Sequence, residues 1–281
     1  MKKLVSTLLA LLMMATSAMA AADEINVISR EDGSGTRGAF VELFGIQQKN
    51  EAGEKVDYTT DECDITNSTS VMMTSVSGND CAIGYISLGS LNDTVKALSI
   101  DGAAATVENI KAGSYKVARP FNIATLSTIG EAAQDIIAFI MSAEGQSVIE
   151  ANGYISAVEA APAFAGGKVS GKVVIAGSSS VTPVMEKLTE AYQALNGNVE
   201  FELQQSDSSA GLTAVKDGVC VIGMASRDLK TSELEAGLQP QVIAMDGIAV
   251  VVSNDNPVNG LTTQQVRSIY MGEITDWSEV E

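Results

Sequence analysis

From Ile25 to Met271 the chain alternates short apolar runs with stretches in which apolar residues recur every three or four positions. The runs predict strands over 25–29, 82–87, 95–100, 121–126, 172–176, 199–204, 219–225, 242–245 and 248–253. The periodic stretches predict helices over 36–44, 132–149, 181–195, 209–216 and 262–271, the second of them interrupted near 142–145. Strand and helix in turn over this length is the pattern of an α/β protein with mainly parallel sheet.

Two stretches fall outside that alternation. Residues 157–171 read AVEAAPAFAGGKVSG, with small residues, one Pro, three Gly and no apolar period, which predicts a flexible linker near the middle. At the start, Lys2 and Lys3 precede an apolar stretch over 4–14, and Ala18-Met19-Ala20 forms an A-x-A site. This reads as a signal peptide over 1–20. No Cys follows the site to carry a lipid, and no later apolar run reaches the length of a membrane span, so an exported, soluble protein is expected.

Composition narrows the chemistry. The 281 residues hold 17 Lys and Arg against 35 Asp and Glu, for a net charge of −18, and loss of two lysines with residues 1–20 would take this to −20. Nucleic acid, which needs clustered positive charge, is not an expected partner. The chain has no His. Ser-His-Asp and Cys-His triads, HExxH zinc sites and the usual neutral-pH base are therefore excluded, and a binding protein becomes the default. Cys63, Cys81 and Cys220 include no CxxC pair. They read either as a Cys63–Cys81 bridge with one thiol left over or as three small buried hydrophobes.

Four times a strand leads into a cluster of Gly, Ser and Thr at the predicted start of a helix: ISREDGSGTRG over 28–38, TNSTSVM over 66–72, IAGSSSVTPV over 175–184 and QQSDSSAG over 204–211. Helix N-termini carry amide N–H groups without partners, and hydroxyls beside them form a natural site for an oxyanion. Plain N-capping would explain any one cluster; four together point to a site. Residues 33–38 also satisfy GxGxxG, but Arg30, Glu31 and Asp32 precede the first glycine, and an exported protein meets little nicotinamide cofactor. Arg30 and Arg227 each stand near a strand end, where a guanidinium can grip an oxyanion with two N–H groups.

The strings ISREDGSGTRGAF, NSTSVMM, AIGYISLG, EGQSVIEANGYI, VVIAGSSSVTPVMEKL, SSAGLTAVKDG, IGMASRDLK, DGIAVVVSNDNPV and ITDWSEV resemble the periplasmic phosphate-binding proteins of ABC-type phosphate transporters, over nearly the whole chain beyond residue 20. The order differs. In the family the segment resembling 172–280 comes first and that resembling 25–155 second, so the chain resembles a circular permutant whose old ends lie in the linker. The resemblance implies a two-lobed α/β fold of the periplasmic-binding-protein type (type II), circularly permuted, and a periplasmic monomer that takes inorganic phosphate to the membrane permease of an ABC phosphate transporter. It implies no cofactor, no metal and no catalysis. A receptor for another oxyanion such as sulfate or molybdate and an exported phosphate-ester enzyme remain the alternatives.

Carried over motif by motif, it implies phosphate contacts from Arg30, Ser34, Gly35 and Thr36, from Ser179 and Ser180, and from Ser208. Several family members have Asp, the acceptor of the phosphate's proton, where this chain has Arg227. Asp32 and Asp228 are left as candidate acceptors, with Arg227 in a supporting place. The segment order implies a continuous lobe over 91–253, containing linker 157–171, and a lobe split between 21–90 and 254–281. Hinges are expected near 90–93 and 254–257. The anion should lie with Ser179, Ser180 and Ser208 on one side and Arg30, Ser34 and Thr36 on the other.

Overall fold

The structure, a computed structural model, describes residues 24–280, and the expected signal peptide over 1–20 lies outside them. Its spine is one mixed sheet built from β1 (Asn26–Arg30), β2 (Asp64–Thr66), β3 (Ala82–Ser87), β4 (Ala118–Thr125), β5 (Gly171–Ser178), β6 (Val199–Ser206), β7 (Ile222–Ala225) and β8 (Gln239–Val252). The strands follow the order β6-β5-β7-β4-β8-β3-β1-β2, with the short strands Lys96–Ala97 and Ile155–Ser156 added against β8. The helices that matter below are α1 (Gly35–Leu43), α2 (Thr69–Ser77), α3 (Glu131–Ile140), α4 (Ala143–Ala151), α5 (Thr182–Leu195), α6 (Ser208–Lys216) and α7 (Thr263–Tyr270).

The parallel sheet expected from the sequence is found at the two ends, where β1 is parallel to β2 and β3, and β5 to β6 and β7. The middle is antiparallel. β4 runs antiparallel to β7 and β8, and β8 antiparallel to β3. The reason is topological: β4 and β8 carry the chain in opposite directions between the two halves of the molecule. Predicted strands 242–245 and 248–253 are one element, because Asp246 and Gly247 stay in the ladder opposite Arg119 and Ala118. Predicted strand 95–100 is instead two short pieces, Lys96–Ala97 and Ser99–Ile100.

Each half has its own apolar core. One gathers Phe40, Tyr85 and Tyr270, with Phe40 stacked on Tyr85 at a centroid distance of 3.9 Å. The other gathers Phe121, Phe139, Leu188 and Tyr192 between β5 and helices α3 to α5. The first core also takes in Leu98, Tyr115, Val117, Ile248, Val250 and Val252. The chain therefore passes between cores near 117–118 and 247–248, whereas the sequence reading drew its borders at 90–91 and 253–254. Apolar residues after Ser90 fold back onto the first core, and β8 crosses without a loop. Residues 157–170 are irregular as expected but tied down: the Phe164 amide donates to Glu144 at 2.8 Å, the Gly167 amide to Asp135 at 2.9 Å, and the Phe164 ring packs edge-on against Phe139. The first and last described segments meet, with the Ile25 amide donating to the Thr275 carbonyl at 2.7 Å. Cys63 is a half-buried free thiol, so the Cys63–Cys81 bridge is not formed; Cys220 is buried, as the alternative reading expects.

Candidate anion-binding site

The four Gly/Ser/Thr clusters become the N-termini of α1, α2, α5 and α6, and they converge where the halves meet. Three begin with a capping side chain. Ser34 accepts from the Arg37 amide at 3.3 Å, Ser68 from Val71 at 3.3 Å and Asp207 from Ala210 at 2.8 Å. The caps turn the chain sharply from strand to helix, which leaves the first helical hydroxyls facing the opposite half.

Across the junction Thr36 and Ser180 share a hydrogen bond of 2.8 Å, and Thr69 lies 3.2 Å from Ser180 and 3.5 Å from Ser179. Ser226 joins from the end of β7, donating its amide to Ser208 Oγ at 3.1 Å and accepting from Ser178 Oγ at 3.0 Å. The backbones come as close as the side chains. The Ser209 amide donates to the Gly33 carbonyl at 3.2 Å, and a Cβ at Gly35 would overlap the Ser208 hydroxyl and stand 2.7 Å from that of Ser226. Only glycine fits at 35.

Arg30 enters from the end of β1, 1% exposed. Glu31 accepts from its Nε and Nη2, both at 2.8 Å, and Nη2 also donates to Ser179 Oγ at 3.1 Å. Nη1 is buried without a hydrogen-bond partner. The Arg30 backbone is pinned on both sides, its amide donating to Tyr85 Oη at 3.1 Å and its carbonyl accepting from Arg37 Nη1 at 2.8 Å.

Arg30, Ser34, Gly35, Thr36, Ser179, Ser180 and Ser208 are thus buried together around one junction. The three supporting candidates are not part of it. Asp32 has a side chain 98% exposed and pairs with Arg37 at 2.9 Å. Arg227 is buried but closes a two-pronged pair with Glu233 at 2.8 and 2.7 Å, and Asp228 is exposed. Sequence reasoning missed Thr69, Ser178 and Ser226, although all three stand inside or beside quoted strings. The signal was the helix start and the strand end, each of which carries more than one hydroxyl.

A profile described as a PBP superfamily domain matches residues 14–144 and 162–281. The phosphate-binding protein PstS 2 of Streptococcus agalactiae is 58% identical over 257 residues, 91% of this chain and 87% of the relative. The chain belongs to the PstS-type phosphate-binding protein family. PstS 2 of Streptococcus pneumoniae is 44% identical over 267 residues, 95% of this chain and 91% of that protein. The crystal structure of a phosphate ABC transporter, phosphate-binding protein from the same species superposes with a TM-score of 0.71 at 44% identity, covering 92% of this chain and all of the other. Among the described residues no helix is long and apolar enough to cross a membrane.

Proposed function

We propose that this chain captures inorganic phosphate at the convergence of α1, α2, α5 and α6 and hands it to the membrane permease of an ABC phosphate transporter. The observation that carries the reading is the buried set of hydroxyls and helix N-termini from both halves, gathered around an arginine with a spare N–H. Hydroxyls that bond to one another across the junction can exchange those bonds for bonds to the oxygens of a tetrahedral anion, which ties the two halves together around it. Arg30, oriented by Glu31, supplies the charge-assisted bonds.

Access is electrically neutral. A cavity of about 400 Å³ opens beside Ser179, lined among others by Thr69, Ser70, Ser90, Asn92 and Gln205, and no charged side chain borders it. The net charge of −18 is no obstacle, because at physiological ionic strength surface acids are screened beyond about 8 Å. We read the chain as a binding protein rather than an enzyme, exported by its first twenty residues and acting as a monomer outside the cytoplasm, in line with relatives named as binding proteins. We also read its segment order as a circular permutation; the contact between the described ends and the irregular 157–170 connection support that reading.

Calorimetry with phosphate, arsenate and sulfate tests the function. Phosphate should bind and sulfate should fail to compete, because the Glu31 carboxylate beside Arg30 can accept a proton from phosphate, and sulfate has none to give. Tight sulfate binding that phosphate cannot displace would overturn the reading.

A further inference from the structure

A second buried guanidinium lies on the strands that carry the chain between the halves. Arg119 on β4 and Asp246 on β8 are register partners, their side chains 2% and 0% exposed. Arg119 Nη2 donates to Asp246 Oδ2 at 3.2 Å, and the Gly89 amide, just beyond β3, donates to Oδ1 at 3.2 Å. Asp246 is the one fully buried carboxylate among the described residues. Arg119 also rests over the Phe121 ring, 5.3 Å from its centroid, which fixes its orientation.

The pairing is one-sided. Arg119 Nε and Nη1 are buried without hydrogen-bond partners, as is Arg30 Nη1. Buried donors in folded proteins are ordinarily paired, so three such groups on two neighbouring guanidiniums mark a place built for negative charge. Burial first, and then the positive charge of Arg30, lowers the Arg119 pKa to about 10, so the two cations repel each other through the core. Burial also raises the Asp246 carboxyl to about 6 despite the Arg119 charge beside it. A pair serving stability alone would close both prongs, as Arg227 and Glu233 do.

We propose that Arg119 is a specificity-determining positioning residue for the anion site, a second buried positive charge behind Arg30 that favours a doubly charged oxyanion, and that Asp246 holds it in place while moderating its charge. The proposal rests on the phosphate reading above.

The test is phosphate affinity by calorimetry on the whole chain, at a pH where phosphate is a dianion, for the parent, Arg119→Lys, Arg119→Met and Asp246→Asn. Arg119→Met should bind about tenfold more weakly, Arg119→Lys should stay within about threefold of the parent, and Asp246→Asn should bind a few-fold more tightly. A purely structural pair predicts a different pattern, with Lys and Met equally weak and Asp246→Asn weakened too, and that result would overturn the proposal. If Asp246→Asn does not keep its fold by circular dichroism, the contrast between Lys and Met at position 119 decides alone. Arg119→Met binding like a phosphate-binding parent would sink this inference and leave the proposed function standing. A parent that does not bind phosphate would remove both.

Discussion

Arg30 and Arg227 look alike in sequence, each beside the end of a strand that is parallel to its neighbour, each with an acid close behind. The fold puts them to opposite uses. Glu31 occupies Nε and Nη2 of Arg30, and Nη1 is left buried and unpartnered while Nη2 reaches across to Ser179. In Arg227 both terminal nitrogens are taken by Glu233, with Ser209 and the Asp228 carbonyl accepting further bonds at 3.1 and 2.9 Å. Glu233 lies on the short helix Thr231–Glu235, which directly follows the Arg227 loop and closes the fork. What keeps Arg30 available to a ligand is that its acid leaves one terminal nitrogen unpaired, whereas Glu233 engages both terminal nitrogens of Arg227.

The largest effect should come from Ser34→Asp, with no measurable phosphate binding. Aspartate caps a helix as well as serine does, so α1 should survive and the loss would isolate the carboxylate set against the anion at that N-terminus. Arg30→Ala should follow, about 10- to 100-fold weaker, since each bond to a charged group contributes about 1.5–3 kcal/mol. Titration calorimetry checks both. If Arg227→Ala weakened binding as much as Arg30→Ala, the contrast between the two arginines would be wrong.

Much of this contrast was legible in the sequence, and some was not. The four helix starts were visible because a strand, small residues and a hydroxyl in that order have one cheap local solution, a capped turn into helix. Their convergence came from family resemblance rather than from pattern, since no local rule brings Thr36 to Ser180 across 144 positions. The fate of Arg227 was hidden for the same reason at shorter range: helix Thr231–Glu235 is five residues long, too short for periodicity to reveal it. The expected border at 90–91 follows from the order of the resembling segments, which says nothing of where the chain after Ser90 packs. The packing of Leu98, Tyr115 and Val117 onto the first core is a tertiary matter that segment order does not report.

A middling effect, on stability rather than binding, is expected from Arg227→Met. It leaves the Glu233 carboxylate without its partner in a poorly solvated place and should cost about 1–3 kcal/mol in urea denaturation, with phosphate affinity within about twofold of the parent. The pH dependence follows from Glu233 itself. Burial works to raise its carboxyl, but hydrogen bonds from Arg227 and the Lys230 amide outweigh it and hold the group below its ordinary value. A carboxyl lowered in the folded state adds its full stability above the unfolded-state pKa and loses it as pH falls through the folded-state pKa. The parent should therefore lose more stability than Glu233→Gln as pH drops through the acid range. Parallel curves for the two proteins would show that the fork does not stabilise the fold.

The smallest effect is expected from Asp32→Asn, and it bears directly on the arginine comparison. Asp32 sits between Arg30 and the glycine turn, which makes it a candidate acceptor for the phosphate proton, yet its side chain is in water and, among the described residues, its one ion pair is with Arg37. Arg37 does not depend on it, because Asp57 accepts from its Nε at 2.9 Å and the Arg30 carbonyl accepts from its Nη1 at 2.8 Å. An exposed ion pair of this kind contributes little and is screened by salt. Both the denaturation midpoint and the phosphate affinity of Asp32→Asn should match the parent within error. A loss as large as that of Arg30→Ala would mean that the Asp32 side chain turns inward when the ligand arrives. The loop would then use its acid as well as its arginine, and Arg30 and Arg227 would differ in the reach of their neighbouring acids rather than in the closing of a fork.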